Sequence, residues 1–187
     1  MTRLWLIRHG PTHAKVMVGR TDLPADLSDA ARLARLSDAL PTAPVVSSDL
    51  RRAVDTAAAI RGARPVLPPE RALREFDYGD WDGRTFAEID SPDLRRFFDE
   101  PGPHRAPNGE SWDDVAARVD AALERLAGER SDLIVVAHMG VILTQWARAT
   151  GLPPFRALAQ EIAPLGVTRI DLRADGQPVP VFADRHP

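Results

Sequence analysis

The chain has 187 residues, 44% of them apolar, and a formal charge of −3; it can bury the core of one domain, and its balance excludes broad, sequence-independent nucleic-acid binding. It has no cysteine, which excludes disulfides and thiolate metal sites. The apolar run from Met1 to Ile7 meets Arg8 too early for a secretion signal or a membrane span, so a cytoplasmic protein with no membrane partner is expected.

In chain order, residues 3 to 7 (RLWLI) read as a buried parallel strand. A helix is predicted over 28–40, with Ser28 as its cap and Pro41 beyond its end. A second strand follows at 44–47 (PVVS), then a helix over 49–61 stopped by Gly62. A weaker strand is expected at 64–67. Residues 91 to 109 carry four prolines and two glycines and read as a lid-like excursion over one edge. Ser111, with Asp114 three positions on, opens a helix over 111–127 in the manner of a capping box, and Gly128 ends it. The third buried strand is 133–137 (LIVVA), and a helix over 141–150 is closed by Gly151 and Pro153. A weaker strand at 167–172 is followed by a loose tail from about Ala174. This alternation predicts a single α/β domain over 1–187, a three-layer α/β/α sandwich with a mostly parallel central sheet.

Open parallel sheets bind ligands beyond the carboxyl ends of their strands. Arg8, His9 and Gly10 follow the first strand, Ser47 and Ser48 lead from the second towards Arg51 and Arg52, and His138 follows the third. Two arginines and two histidines meeting there would form an anion site, because guanidinium pairs bidentately with phosphate oxygens. Gly10 would let the backbone approach closely, and His138 precedes a helix N-terminus, whose free N–H groups attract an anion. His13 lies four residues from His9, but Gly10 and Pro11 break any helix there, so no metal pair is expected. Taken singly, each of these residues could be structural, and Arg51 reads as solvated.

The segments LWLIRHGPTHAK, SSDLRRAVDTA, LREFDYGDWDG, NGESWDDVAARV and VVAHMGVI, in that order, resemble the histidine phosphatase family, also called phosphoglycerate mutase-like, from residue 3 to about 145. The resemblance implies that His9 is a nucleophile, that Arg8 and Arg52 hold phosphate, that Glu75 is the proton donor and that His138 completes the pocket. It further implies a phosphohistidine intermediate, a small phosphorylated metabolite as substrate, and no metal or organic cofactor. Gly10, Thr12, Lys15 and Met139 are assigned to substrate binding on the same ground. The sequence departs from the family pattern at Pro11, usually Glu or Gln; at Lys15, often Asn; at Met139, usually Gly; and in DLPADLS, which carries two extra residues. Lys15 is the only lysine beside 23 arginines and is expected to add charge near the phosphate.

The short chain resembles the small phosphatases of the family, α-ribazole phosphatase among them, more than the longer mutases with extended lids. Rival readings are a bisphosphoglycerate-dependent mutase, a non-catalytic sugar-phosphate-binding regulator and a protein phosphohistidine phosphatase. Trp81, Phe97, Phe98 and Trp112 are candidates either for a wall of the site or for core. A monomer and a dimer are equally compatible with the sequence.

Overall fold

The computed structural model describes all 187 residues, Met1–Pro187. Its elements in chain order are β1 (Thr2–Arg8), α1 (Ala30–Ala39), β2 (Val45–Ser47), α2 (Arg51–Ile60), α3 (Phe86–Ile89), α4 (Pro92–Asp99), α5 (Trp112–Ala127), β3 (Asp132–Ala137), α6 (Met139–Thr150), α7 (Pro154–Ala157), β4 (Val167–Leu172) and β5 (Pro178–Arg185). The strands form one sheet in the order β2-β3-β1-β4-β5.

Strand side chains alternate between two faces, and here both faces are apolar. Leu4 and Leu6 of β1, Leu133 and Val135 of β3, and Ile170 and Leu172 of β4 pack on one side with Val115, Val119 and Leu123 of α5 and Val141, Ile142 and Leu143 of α6. Ile7, Ile134, Val136 and Val167 point to the other side, against Leu33 and Leu36 of α1 and Ala53, Ala57 and Ile60 of α2. The chain therefore folds as three layers, with helices on both faces of the sheet. No helix is long and apolar enough to cross a membrane.

The sheet is mixed. β2, β3 and β1 are parallel, as expected, whereas β4 runs antiparallel to β1 and β5 antiparallel to β4. The expected loose tail from Ala174 is therefore corrected: Pro178–Arg185 is an ordered edge strand. Asp175 and Gly176 make the hairpin turn, Gly176 at φ +78°, with the Asp175 carboxylate accepting from the Gln177 N–H at 3.0 Å. Pro178 and Pro180 suit such a strand, since its outer side has no partner needing their missing N–H. The expected strand at 64–67 shrinks to a bridge between Val45 and Val66, because Pro65, Pro68 and Pro69 cannot donate to a ladder.

The excursion over 91–109 contains more helix than expected. Ser91 accepts from the Leu94 N–H and Pro92 occupies the first helical turn, which starts α4 and buries Leu94 and Phe97 in the core. Immediately before it, Thr85 and Glu88 form a full capping box on α3. The α5 start is as read from sequence, with Ser111 and Asp114 bonded reciprocally. In α1 the cap is Asp29, whose carboxylate accepts from Arg32, and not Ser28. At α2 the cap position is Leu50, which has no acceptor; Asp22, from the loop with the extra residues, accepts the Arg51 N–H at 2.6 Å instead.

Candidate active site

Because β1 and β3 are adjacent and parallel, with Arg8 opposite Ala137, the next residues, His9 and His138, leave the sheet side by side. The His9 N–H bonds to the Ala137 carbonyl at 3.0 Å, and the two imidazole centroids stand 5.1 Å apart at 62°. The α2 N-terminus brings in Arg52, which is buried, while the neighbouring Arg51 is exposed and pairs with Asp55.

His9 is 7% exposed, and its ring orientation is set on both sides. Nδ1 lies 2.7 Å from the Gly10 carbonyl, so it carries the proton and donates. Nε2 is left with a lone pair and accepts from Arg52 Nε at 3.2 Å. Burial first, and the Arg52 and Arg8 charges after it, pull the His9 pKa from 6.5 to about 3, against the Gly10 bond, which favours the cation. His9 is thus neutral across the physiological range. Burial lowers His138 too, reinforced by His9 and Arg52; neither of its ring nitrogens has a partner. His138 stands behind His9 and does not itself line the cleft.

Arg52 donates one N–H from each Nη, to the carbonyls of Thr21 at 2.9 Å and Gly19 at 2.8 Å, which leaves two N–H groups. Arg8 donates Nη1 to the Ile162 carbonyl at 2.6 Å, and its buried Nε has no partner. Burial draws both guanidinium groups below their ordinary value, with Glu75 opposing. Glu75 is buried and accepts from the Gly140 N–H at 3.1 Å and the Phe76 N–H at 3.0 Å. A Cβ at Gly140 would collide with Glu75 Oε1 and the Phe76 ring, so only glycine permits this approach of α6 to Glu75.

These groups line the floor of a cleft of about 240 Å3. Arg8, His9, Thr12, Arg52, Glu75 and Met139 of the expected set all reach it. Lys15 does not: it is exposed and outside the lining, although Ala14 and Val16 on either side of it line the cleft. Gly10 also lies outside the lining. The space a side chain would need there is filled by Leu27, 2.7 Å from an ideal Cβ, and its N–H is bonded to Thr56 Oγ1 at 3.0 Å. At Gly10, therefore, only glycine permits this close packing of the chain next to His9. Of the aromatic candidates, Phe98 lines the cleft and Trp81, Phe97 and Trp112 are core.

The sequence reading missed a supporting ring. Asp82 accepts from the backbone of Gly19 (3.4 Å), Arg20 (2.6 Å) and Thr21 (3.3 Å) and from Thr21 Oγ1 (2.8 Å), which fixes the loop whose carbonyls hold Arg52. Arg118, paired with Glu110 at 2.8 Å, donates to the carbonyls of Ala72 (2.7 Å) and Glu75 (3.0 Å) and so holds the Glu75 backbone. Their signal was present in the segments NGESWDDVAARV and LREFDYGDWDG, where Glu110, Arg118 and Asp82 lie. Tyr78, in the second of these segments, also lines the cleft, as do Val16 and Phe86, which had no advance signal. No cluster of three or more His, Asp or Glu side chains is placed to hold a metal ion.

Among known proteins, the chain is 36% identical over 172 residues to the glucosyl-3-phosphoglycerate phosphatase of Mycolicibacterium vanbaalenii, covering 81% of this chain and 75% of that one. It is 32% identical over 165 residues to the adenosylcobalamin/alpha-ribazole phosphatase of Escherichia coli, covering 81% and 80%. Its fold matches the native structure of a mycobacterial glucosyl-3-phosphoglycerate phosphatase with TM-score 0.85 and 28% identity over the full length of both chains. YhfR of Bacillus stearothermophilus matches with TM-score 0.85 and 26% identity, over 97% of this chain and 96% of that one. Residues 4–185 match the histidine phosphatase superfamily (branch 1), and with the paired histidines and arginines at the ends of β1, α2 and β3, this chain belongs to that superfamily.

Proposed function

We propose that this protein hydrolyses phosphate monoesters of small metabolites by transferring the phosphoryl group to His9 Nε2. The observation that carries this reading is the state of His9: neutral, held in one tautomer by Gly10, with its Nε2 lone pair facing the Arg52 guanidinium in a cleft that Arg8 also lines. In the first step Nε2 bonds to phosphorus, the ester P–O bond breaks with its electron pair on the alcohol oxygen, and Glu75 supplies that oxygen with a proton. In the second, water attacks phosphorus, gives its proton to Glu75, and the P–N bond breaks to return neutral His9 and release orthophosphate.

Arg8 and Arg52 stabilise the charge on the equatorial oxygens, the unpartnered Arg8 Nε supplies a further donor, and the neutral His138 ring, 5.1 Å from that of His9, holds one N–H without a partner. This donor set of guanidinium and imidazole groups performs the transfer without a metal ion. The phosphatase names of both sequence relatives favour release to water over return to a second alcohol, which a mutase would require.

Brief incubation with labelled substrate should leave acid-labile, base-stable phosphate on the protein, and His9→Ala should abolish both label and turnover. Full turnover in that variant would refute the assignment.

A further inference from the structure

Above the polar floor, the cleft has an apolar rim. Phe86 is 58% exposed, Met139 38% and Val16 37%, although each is a large apolar side chain and each lines the cleft. Water contact at such side chains costs free energy that a bound apolar group would recover. Phe86 and Phe98 meet at 5.7 Å and 49°, and Phe98 in turn meets Phe97 edge-on at 5.1 Å, so the rim is backed by packed core aromatics. A smaller recess of about 40 Å3, walled by Phe97, Trp112, Leu143 and Leu158, opens beside the cleft and shares Tyr78, Phe98 and Met139 with it. The apolar surface thus continues inward from the rim.

The charges in the cleft are equally selective. Its cations are Arg8 and Arg52, one bonded to the Ile162 carbonyl and the other to His9, and its anion is Glu75. No third cation lines the wall, and Lys15 stands outside. A substrate alcohol bearing its own carboxylate would lose water against an apolar wall and Glu75, with no opposite charge to compensate.

Resting on the phosphohistidine reading above, we infer that the cleft selects phosphomonoesters whose alcohol carries an uncharged apolar or aromatic body and rejects those whose alcohol carries a second anion. Phe86, Phe98 and Met139 are the specificity-determining residues, and Met139, where the family pattern has glycine, supplies one wall of both the cleft and its recess.

The test compares 2-phenylethyl phosphate, ethyl phosphate and 3-phosphoglycerate, the first two being primary alkyl esters with similar leaving groups. The expected kcat/KM for 2-phenylethyl phosphate is at least about tenfold that for ethyl phosphate, with 3-phosphoglycerate below both, tenfold being one ring's worth of partial burial. Phe86→Ala should pull the phenylethyl-to-ethyl ratio towards one, mainly through KM; the side chain is exposed, so folding is not at stake. Phe86→Arg should raise 3-phosphoglycerate relative to 2-phenylethyl phosphate. A wild-type ratio of one or less, or a ratio unmoved by Phe86→Ala, overturns the inference while phosphohistidine formation still upholds the hydrolase reading. A protein that turns over none of the three and forms no phosphohistidine overturns both.

Discussion

The depressed pKa of His9 makes a prediction about stability that does not depend on any substrate. In the unfolded chain His9 titrates near 6.5, whereas in the native protein it does so at about 3, chiefly because the buried ring resists charge. The lowered native value means that the unfolded state binds the extra proton first. The stability contributed by the neutral ring is therefore complete above pH 6.5 and declines as the pH falls towards 3, by about 1.4 kcal/mol per pH unit. At pH 4.5, two units below the unfolded value, His9 alone should have cost the native state about 2.7 kcal/mol relative to pH 7.5. His9→Asn removes that titration and leaves the other groups in both proteins, His138 among them, which is held neutral chiefly by its own burial. Urea unfolding in phosphate-free buffer, measured at pH 7.5, 6.5, 5.5 and 4.5, should show the variant losing less stability on acidification, by about 2.7 kcal/mol at the last point. The corresponding gap in Tm is roughly 5–10 °C for a chain of this size. Parallel stability-versus-pH curves for the two proteins would show that His9 is not buried neutral, and the account of its nucleophilicity would fail with it.

Arg52→Ala should cost at least about a hundredfold in kcat/KM, the usual consequence of losing a preorganised donor to developing charge. Since the Arg52 charge also depresses His9, the acid limb of its pH-rate profile should move to higher pH; a limb that stays in place would separate the two residues. Glu75→Gln should slow hydrolysis of alkyl phosphates about a hundred to ten-thousandfold while sparing most of the first step on p-nitrophenyl phosphate, whose leaving group needs little protonation. Rapid mixing should then show a nitrophenol burst followed by slow turnover, and equal losses in the first step for both ester types would remove Glu75 from the acid role. Asp82→Asn replaces one acceptor of the Gly19–Thr21 loop by a donor facing backbone N–H groups, at roughly 1.5–3 kcal/mol of stability. Because that loop holds Arg52, kcat should fall too, though by less than in Arg52→Ala; lost stability with unaltered kcat would mean that the loop does not set Arg52.

What could be read from the sequence and what could not divide along a physical line. Elements whose signals lie within a few residues were legible: the apolar runs of β1 and β3, the Ser111–Asp114 box and the Gly128 stop of α5 all appear where the pattern put them. The convergence of Arg8, His9 and His138 at one end of the sheet was legible for the same reason, since parallel neighbours must deliver their next residues to one edge. β5 was missed although Asp175-Gly176 is a hairpin signal, because two prolines made its sequence read as a tail, and an edge strand tolerates prolines that a central one would not. Lys15 is exposed outside the cleft lining although its neighbours Ala14 and Val16 belong to it, because a motif position says which residues are near in sequence and not which way each side chain faces. The Asp82 and Glu110 supports are harder still. Asp82 meets its partners across 61 to 63 residues and Glu110 meets Arg20 across 90, so their roles exist only once the two segments have been packed together. The same holds for the apolar rim: Val16, Phe86 and Met139 come from three separate stretches of chain, each unremarkable alone, and only the fold brings them to the cleft that His9 lines.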